Sequence, residues 1–261
     1  MPDLKVFSYL PNPRLYKATI AARFSGAEIE IVGAKPPELR NWLWDFDARE
    51  LDDGDKAKLV HFERTAAVGF SGSLFKTDAF LEAHPFGAVP AGFSGDGSVG
   101  IFESNSILRA AARCGTKEHG LLGEGPMEQS RVDSFPDRSL GFAKETQRYL
   151  LAASRVTEEL HAEMAKELDA YGRGMDMALT HSSHLVGDRV TLADIALACE
   201  LCLLTNESRF VERLDELGVG LLLPGLRQYE RLGAHLRALA ADERFNEDLG
   251  KYFGRLLAVW A

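Results

Sequence analysis

A proline at the head of a short apolar run constrains the fold of this chain more than any other feature. The segment Gly87-Ala88-Val89-Pro90 is followed by two short apolar stretches, split by the turn Ser94-Gly95-Asp96-Gly97. Glu103-Ser104-Asn105 follows them. This reads as strand, turn, strand, then a polar helix start. A proline is tolerated at the first residue of a strand, but inside one it removes a ladder hydrogen bond. If the Val89–Pro90 bond is cis, the Val89 backbone turns outward, where its N–H and C=O can pair with an extended peptide. The helix start at Glu103-Ser104 offers backbone N–H groups and a hydroxyl to a carboxylate. A place for a peptide backbone and a place for its carboxylate therefore lie close together in the sequence.

The elements before this segment are those of a βαβ unit. Leu4 to Leu10 is β-rich and alternating, and Tyr16, Ile20, Ala21 and Phe24 have helical spacing from about Leu15 to Phe24. Ser25-Gly26 stops that helix, and Ala27 to Val32 alternates like a strand. Such a unit implies a parallel strand pair with a right-handed crossover. Residues 34 to 74 do not simply continue it. They hold Pro36-Pro37, Trp42, Trp44, Phe46, a charged run from Arg49 to Lys58, and then Phe62 and Phe70. A connection this long is usually functional or disordered, and the aromatics argue against full disorder.

Thr77 to Ala83 reads as a short helix, and Ser104 to Arg113 as another. After the Gly-rich residues 116–126 the pattern is helical: about Met127 to Ala152 with a break at Pro136, Val156 to Thr180, Leu192 to Leu204 and Leu226 to Ala240. The expected fold is α/β over 1–115 with an inserted segment at 35–74, a linker at 116–126, and an all-α unit over 127–261.

Composition narrows the function classes. The chain has 261 residues, 46% hydrophobic and 26% charged, with a formal charge of -9. That balance argues against nucleic acid as a partner, since phosphate contacts need clustered Lys and Arg. No apolar run approaches the ~20 residues of a membrane span, and Met1 to Tyr9 is too short and polar for a signal peptide. Three cysteines are too few for a disulfide framework, so the expected location is the cytoplasm. Cys199 and Cys202 have C-x-x-C spacing but sit in an apolar helical run, where packing is the expected role. The histidines, His181 and His184 included, show no metal-ligand spacing, so no metal site is expected. Thr191 and Asp194 have capping-box spacing and read as structural.

The order of elements resembles the thioredoxin-like N-terminal domain and helical C-terminal domain of the glutathione S-transferase superfamily. The stretches that carry the resemblance are Tyr9 to Ala18, Lys76 to Phe80, Gly87 to Pro90, Phe102 to Asn105 and Leu185 to Asp194. The nearest likeness is to the transferase-like part of elongation factor 1 gamma and the bacterial enzymes related to it. Segment 35–74 departs from the pattern, which usually has a short link there.

The resemblance implies that Val89, with Pro90 fixing its backbone, pairs with the cysteinyl unit of glutathione. It also implies that Ser104 takes the γ-glutamyl carboxylate and Glu103 faces the amine. A helix N-terminus favours an anion, and a carboxylate beside an ammonium makes a charge-assisted pair. The same two residues could instead only cap their helix. A free thiol has a pKa of about 8.5, and each unit of lowering needs about 1.4 kcal/mol of thiolate stabilisation. Asn12 and Arg14 are the expected activating groups, Asn12 ahead of Arg14. Asn12 could equally be a plain N-cap.

Tyr9, Trp42 and Trp44, with Phe46 and Phe62, are expected to face an apolar, aromatic co-substrate, or else the insert's aromatics fasten it to its own domain or to a second subunit. The implied activity is attack by the glutathione thiolate on an electrophilic carbon, with cleavage of lignin-type β-aryl ethers as one subclass. The alternative is a non-catalytic transferase-like subunit. Either would be a homodimer or a heterodimer with a related chain.

Overall fold

The computed structural model describes residues 1–66, 69–70 and 72–261. It divides into two compact units, Met1–Glu118 and His119–Ala261.

In the first unit β1 (Leu4–Tyr9), α1 (Pro13–Ser25) and β2 (Ile29–Ala34) form the βαβ unit, with β1 and β2 parallel. Gly26 ends α1 in the left-handed conformation, φ 76°, and its N–H closes on Ala22 O. Strand β2 begins two residues later than the alternation suggested, because Ala27 and Glu28 are spent leaving the helix. Gly33 lets β2 lie close to β1, since a Cβ there would overlap the Ser8 carbonyl oxygen.

The inserted segment is folded. It contributes β3 (Trp42–Trp44), β4 (Arg49–Glu50), α2 (Asp53–Lys58), β5 (Glu63–Thr65) and β6 (Ser73–Lys76). These strands make a second sheet in the order β4-β3-β6-β5. Residues 67, 68 and 71 of the segment lie outside the described residues.

The chain then returns through α3 (Asp78–Ala83), capped by the Thr77 hydroxyl, to β7 (Ala91–Ser94) and β8 (Gly100–Ile101). The main sheet has the order β2-β1-β7-β8, with β7 antiparallel to both neighbours. Helix α4 (Ser104–Cys114) packs on α1.

One apolar core joins the two sheets. It contains Phe7 of β1, Phe93 of β7, Phe80 of α3 and Trp44 of β3. The Trp44 indole is 1% exposed and stands edge-on to Phe7, Phe70 and Phe80, with ring centroids 5.3, 5.4 and 5.8 Å away. Its Nε1 donates to Leu39 O at 3.1 Å. The expectation that Trp44 lines a co-substrate pocket is therefore corrected. Its ring is spent on the core, and it fastens the insert to the main sheet.

The second unit is helical: α5 (Gly125–Ala152), α6 (Glu158–Ala178), α7 (Leu192–Leu204), α8 (Val211–Glu216), α9 (Glu230–Ala241) and α10 (Glu243–Leu257). Helix α5 runs through Pro136, where the sequence suggested a break. An internal proline costs a helix about 3 kcal/mol, but Val132, Phe135, Ser139 and Phe142 around it are buried, and that packing outweighs the local loss. Helix α10, capped by Asp242, was not anticipated. Helix α7 is buried along its whole length, Cys199 and Cys202 included. Among the described residues no helix is long and apolar enough to cross a membrane.

Candidate functional site

The residues singled out around Val89 and Ser104 all belong to the first unit. The Val89–Pro90 peptide bond is cis, and both residues are half-buried immediately before β7. The loop leading to them is held from the insert side. Gly87 turns with φ 56°, and its carbonyl accepts from Lys76 Nζ at 2.7 Å. That ammonium also lies over the Trp44 ring, 4.7 Å from its centroid. Burial lowers the Lys76 pKa. The core tryptophan, the lysine and the loop thus form one chain of contacts ending at the Gly87 carbonyl, two residues before Val89.

Glu103 and Ser104 start α4. Glu103 is exposed and has φ 68° and ψ 126°. A non-glycine residue in this region costs about 1–3 kcal/mol and is found mostly at functional positions. Its side chain makes no capping hydrogen bond. The first N–H groups of a helix have no intrahelical acceptor, and no acidic side chain occupies the first turn of α4. An uncapped, electropositive helix start is suited to an anion.

Beneath it lies a group the sequence reading passed over. Lys17 of α1 is 0% exposed, and its Nζ donates to Asn105 Oδ1 at 2.7 Å and to Ser104 Oγ at 3.3 Å. The signal was present: Pro13, Lys17 and Ala21 are spaced by four and share the buried face of the helix. A charge on an apolar face implies a buried partner.

Asn12 is fully buried and caps α1. Its Oδ1 accepts from Arg14 N–H at 3.0 Å, and its Nδ2 donates to Ser8 Oγ at 3.1 Å. The side chain expected first as a donor to a bound thiol is thus engaged in the cap, for which Asn is strongly suited. Arg14, half-buried, occupies the first turn of α1. Tyr9, at the end of β1, and Trp42, whose ring stacks on Phe7 at 6.2 Å, are half-buried.

His84, at the end of α3, is 1% exposed, and its ring packs 5.0 Å from Phe80 and 4.6 Å from Phe93. Neither ring nitrogen has a hydrogen-bond partner among the described residues. Burial pushes its pKa down to about 4. In the unfolded chain this group takes up its proton near pH 6.5. Between about pH 6.5 and 4 the unfolded state therefore binds more protons, and stability falls as the pH falls. The expected loss across that window is about 3 kcal/mol. Urea unfolding at pH 7.5 and pH 4.5 checks this: a His84→Leu chain should lose less between the two than the parent chain. Equal losses would contradict the assignment.

Among the described residues no group of three or more His, Cys, Asp or Glu is arranged to hold a metal ion.

No protein-family model matches the chain. In sequence it is 30% identical to elongation factor 1-gamma of Artemia salina over 201 residues. That match covers 76% of this chain and 37% of the relative, so the chain spans little more than a third of that protein's length. Among solved structures it is similar to a theta class glutathione S-transferase from Xanthomonas axonopodis pv. citri with glutathione bound. The TM-score is 0.58 and the identity 19%, with 95% of this chain and 98% of that one covered. It is also similar to a glutathione S-transferase from Methylobacillus flagellatus with glutathione bound, with TM-score 0.61, identity 15%, and 94% and 98% of the two chains covered. A mixed four-stranded sheet with flanking helices followed by a helical unit, matched along nearly the whole chain, is the glutathione S-transferase fold, and this chain has it.

Proposed function

We propose that the first unit binds glutathione and presents its thiol to an apolar electrophile. The observation that carries this reading is the pairing of Val89–Pro90, ahead of β7, with the uncapped start of α4 at Glu103-Ser104. The donor set suits each part of the tripeptide. The Val89 backbone offers one N–H and one C=O to the cysteinyl unit. Ser104 and the α4 N–H groups face the γ-glutamyl carboxylate, and Glu103 its ammonium.

In this reading Arg14 stabilises the thiolate. Asn12 acts through it, because the Asn12 carbonyl holds the Arg14 N–H at the start of α1. The thiolate forms a C–S bond, and the leaving group departs with its electron pair. For a β-aryl ether that group is a phenolate, and for an aryl halide it is a halide ion. Trp42 and Tyr9, with Phe46 and Phe62, are half-buried and can meet such a co-substrate.

An Arg14→Ala chain should lose about tenfold in kcat at pH 7 for each unit by which the bound thiol's pKa rises. The loss should shrink as the pH approaches about 9, where a free thiol ionises unaided. A pH-independent loss would remove Arg14 from this role.

The similarity to elongation factor 1-gamma favours a second reading, a non-catalytic subunit that uses the fold to pair with an identical or related chain. Turnover separates the two. The transferase reading expects conjugation of a generic aryl halide by the isolated chain, and phenol release from a dimeric β-aryl ether if that subclass holds. Glutathione binding without turnover of either substrate favours the subunit.

A further inference from the structure

We infer that Lys17 is a positioning residue that aims the Ser104 hydroxyl proton at an incoming carboxylate. The inference rests on the reading that glutathione is the ligand. It concerns how the γ-glutamyl end is told apart from a neutral one.

A lysine ammonium has three donors and no acceptor. Of the two groups joined at 3.3 Å, Ser104 Oγ must therefore be the acceptor. A hydroxyl that accepts from a fixed cation turns its own hydrogen away from that cation. Asn105 is fixed in the same way: its Oδ1 lies 2.7 Å from Nζ, which turns its amide nitrogen away. The ammonium cannot swing aside, because Lys17 is fully buried between α1 and α4.

Two further observations converge on the same place. Glu103 holds a left-handed backbone at the N-cap without capping the helix, and the first turn of α4 contains no acidic residue. The start of α4 thus combines a helix end without a side-chain cap, a hydroxyl proton directed away from a cation, and the positive charge behind it. At Ser104 Oγ an anion meets a hydroxyl donor with the Lys17 ammonium behind it. A neutral amide, which needs an acceptor for its own hydrogens, meets none from Lys17.

The test compares glutathione with glutathione amidated at the γ-glutamyl α-carboxylate, each titrated calorimetrically into the full chain. The parent chain should prefer the carboxylate by about 10–100-fold, the range of a charge-assisted hydrogen bond. Lys17→Met, close in length and uncharged, should lose most of that preference while its affinity for the amidated peptide changes less than about twofold. If Lys17 only stapled α1 to α4, both affinities would fall together, and that result overturns the inference. So does a Lys17→Met chain that keeps its preference.

Ser104→Ala supplies a variant that leaves the buried lysine in place. It should lose the preference too, and a Ser104→Ala chain that retains it overturns the inference whether or not Lys17→Met folds. A parent chain that binds neither peptide would overturn the glutathione reading itself, and the inference with it. A parent chain that binds both peptides equally removes the inference alone.

Discussion

Trp44→Ala should destabilise the first unit by about 3–5 kcal/mol, a cost typical of truncating a fully buried aromatic. The indole is 1% exposed and meets Phe7, Phe70 and Phe80 edge-on, so its removal leaves a cavity that three rigid rings cannot close. It also strips the Leu39 carbonyl of its Nε1–H donor. A domain is typically stable by about 5–15 kcal/mol, so the substitution removes a large share of the total. A second effect follows from the contacts of Lys76. Without the ring beneath it, the ammonium that holds the Gly87 carbonyl loses one of its two anchors, and affinity for glutathione should fall as well. Urea unfolding followed by circular dichroism measures the first effect. A loss below about 1 kcal/mol, the size of an ordinary surface change, would mean that the insert is not fastened through this ring.

Asp194→Ala should cost the second unit a similar amount. The Asp194 carboxylate is fully buried. One oxygen accepts from Thr191 N–H at 2.8 Å and Thr191 Oγ1 at 3.1 Å, and the other accepts from Leu185 N–H at 3.0 Å. The imidazole Nε2 of His235 lies 2.9 Å from that second oxygen. Alanine leaves two buried backbone N–H groups without acceptors, at about 1–3 kcal/mol each, and ends the capping box. The sum is about 2–6 kcal/mol. Asp194→Asn keeps one acceptor oxygen and should lose less. Thermal unfolding of both variants checks the order, and an alanine variant no less stable than the asparagine one would contradict it.

How much of this was legible in the sequence depended on how local the signal was. Helix α7 was bounded at Leu192 and Leu204 from its cap and apolar run alone, because Thr191 and Asp194 fix its start within four residues. The βαβ unit was legible for the same reason, with two alternating strands around a helix stopped by Gly26.

The insert was not legible. Its sheet includes strands of two and three residues, too short to show a period, and its order comes from the distant Phe7 and Phe80. Pro136 was read as a break because local cost is visible in a sequence and tertiary packing is not. Around the proposed site, Val89, Pro90, Glu103 and Ser104 were singled out by their spacing and by the resemblance. Lys17 and Lys76 were not, since their partners are 87–88 and 11 residues away. Asn12 suited two roles equally from its sequence position. In the structure its Oδ1 caps α1 and its Nδ2 donates to Ser8 Oγ.

The most direct test of the central claim is a crystal structure of the chain grown with saturating glutathione. The account predicts the cysteinyl N–H and C=O within about 3 Å of the Val89 carbonyl and N–H, and the γ-glutamyl carboxylate on Ser104 Oγ and the first N–H groups of α4. A structure in which glutathione is absent under those conditions, or lies away from Val89 and Ser104, would contradict it.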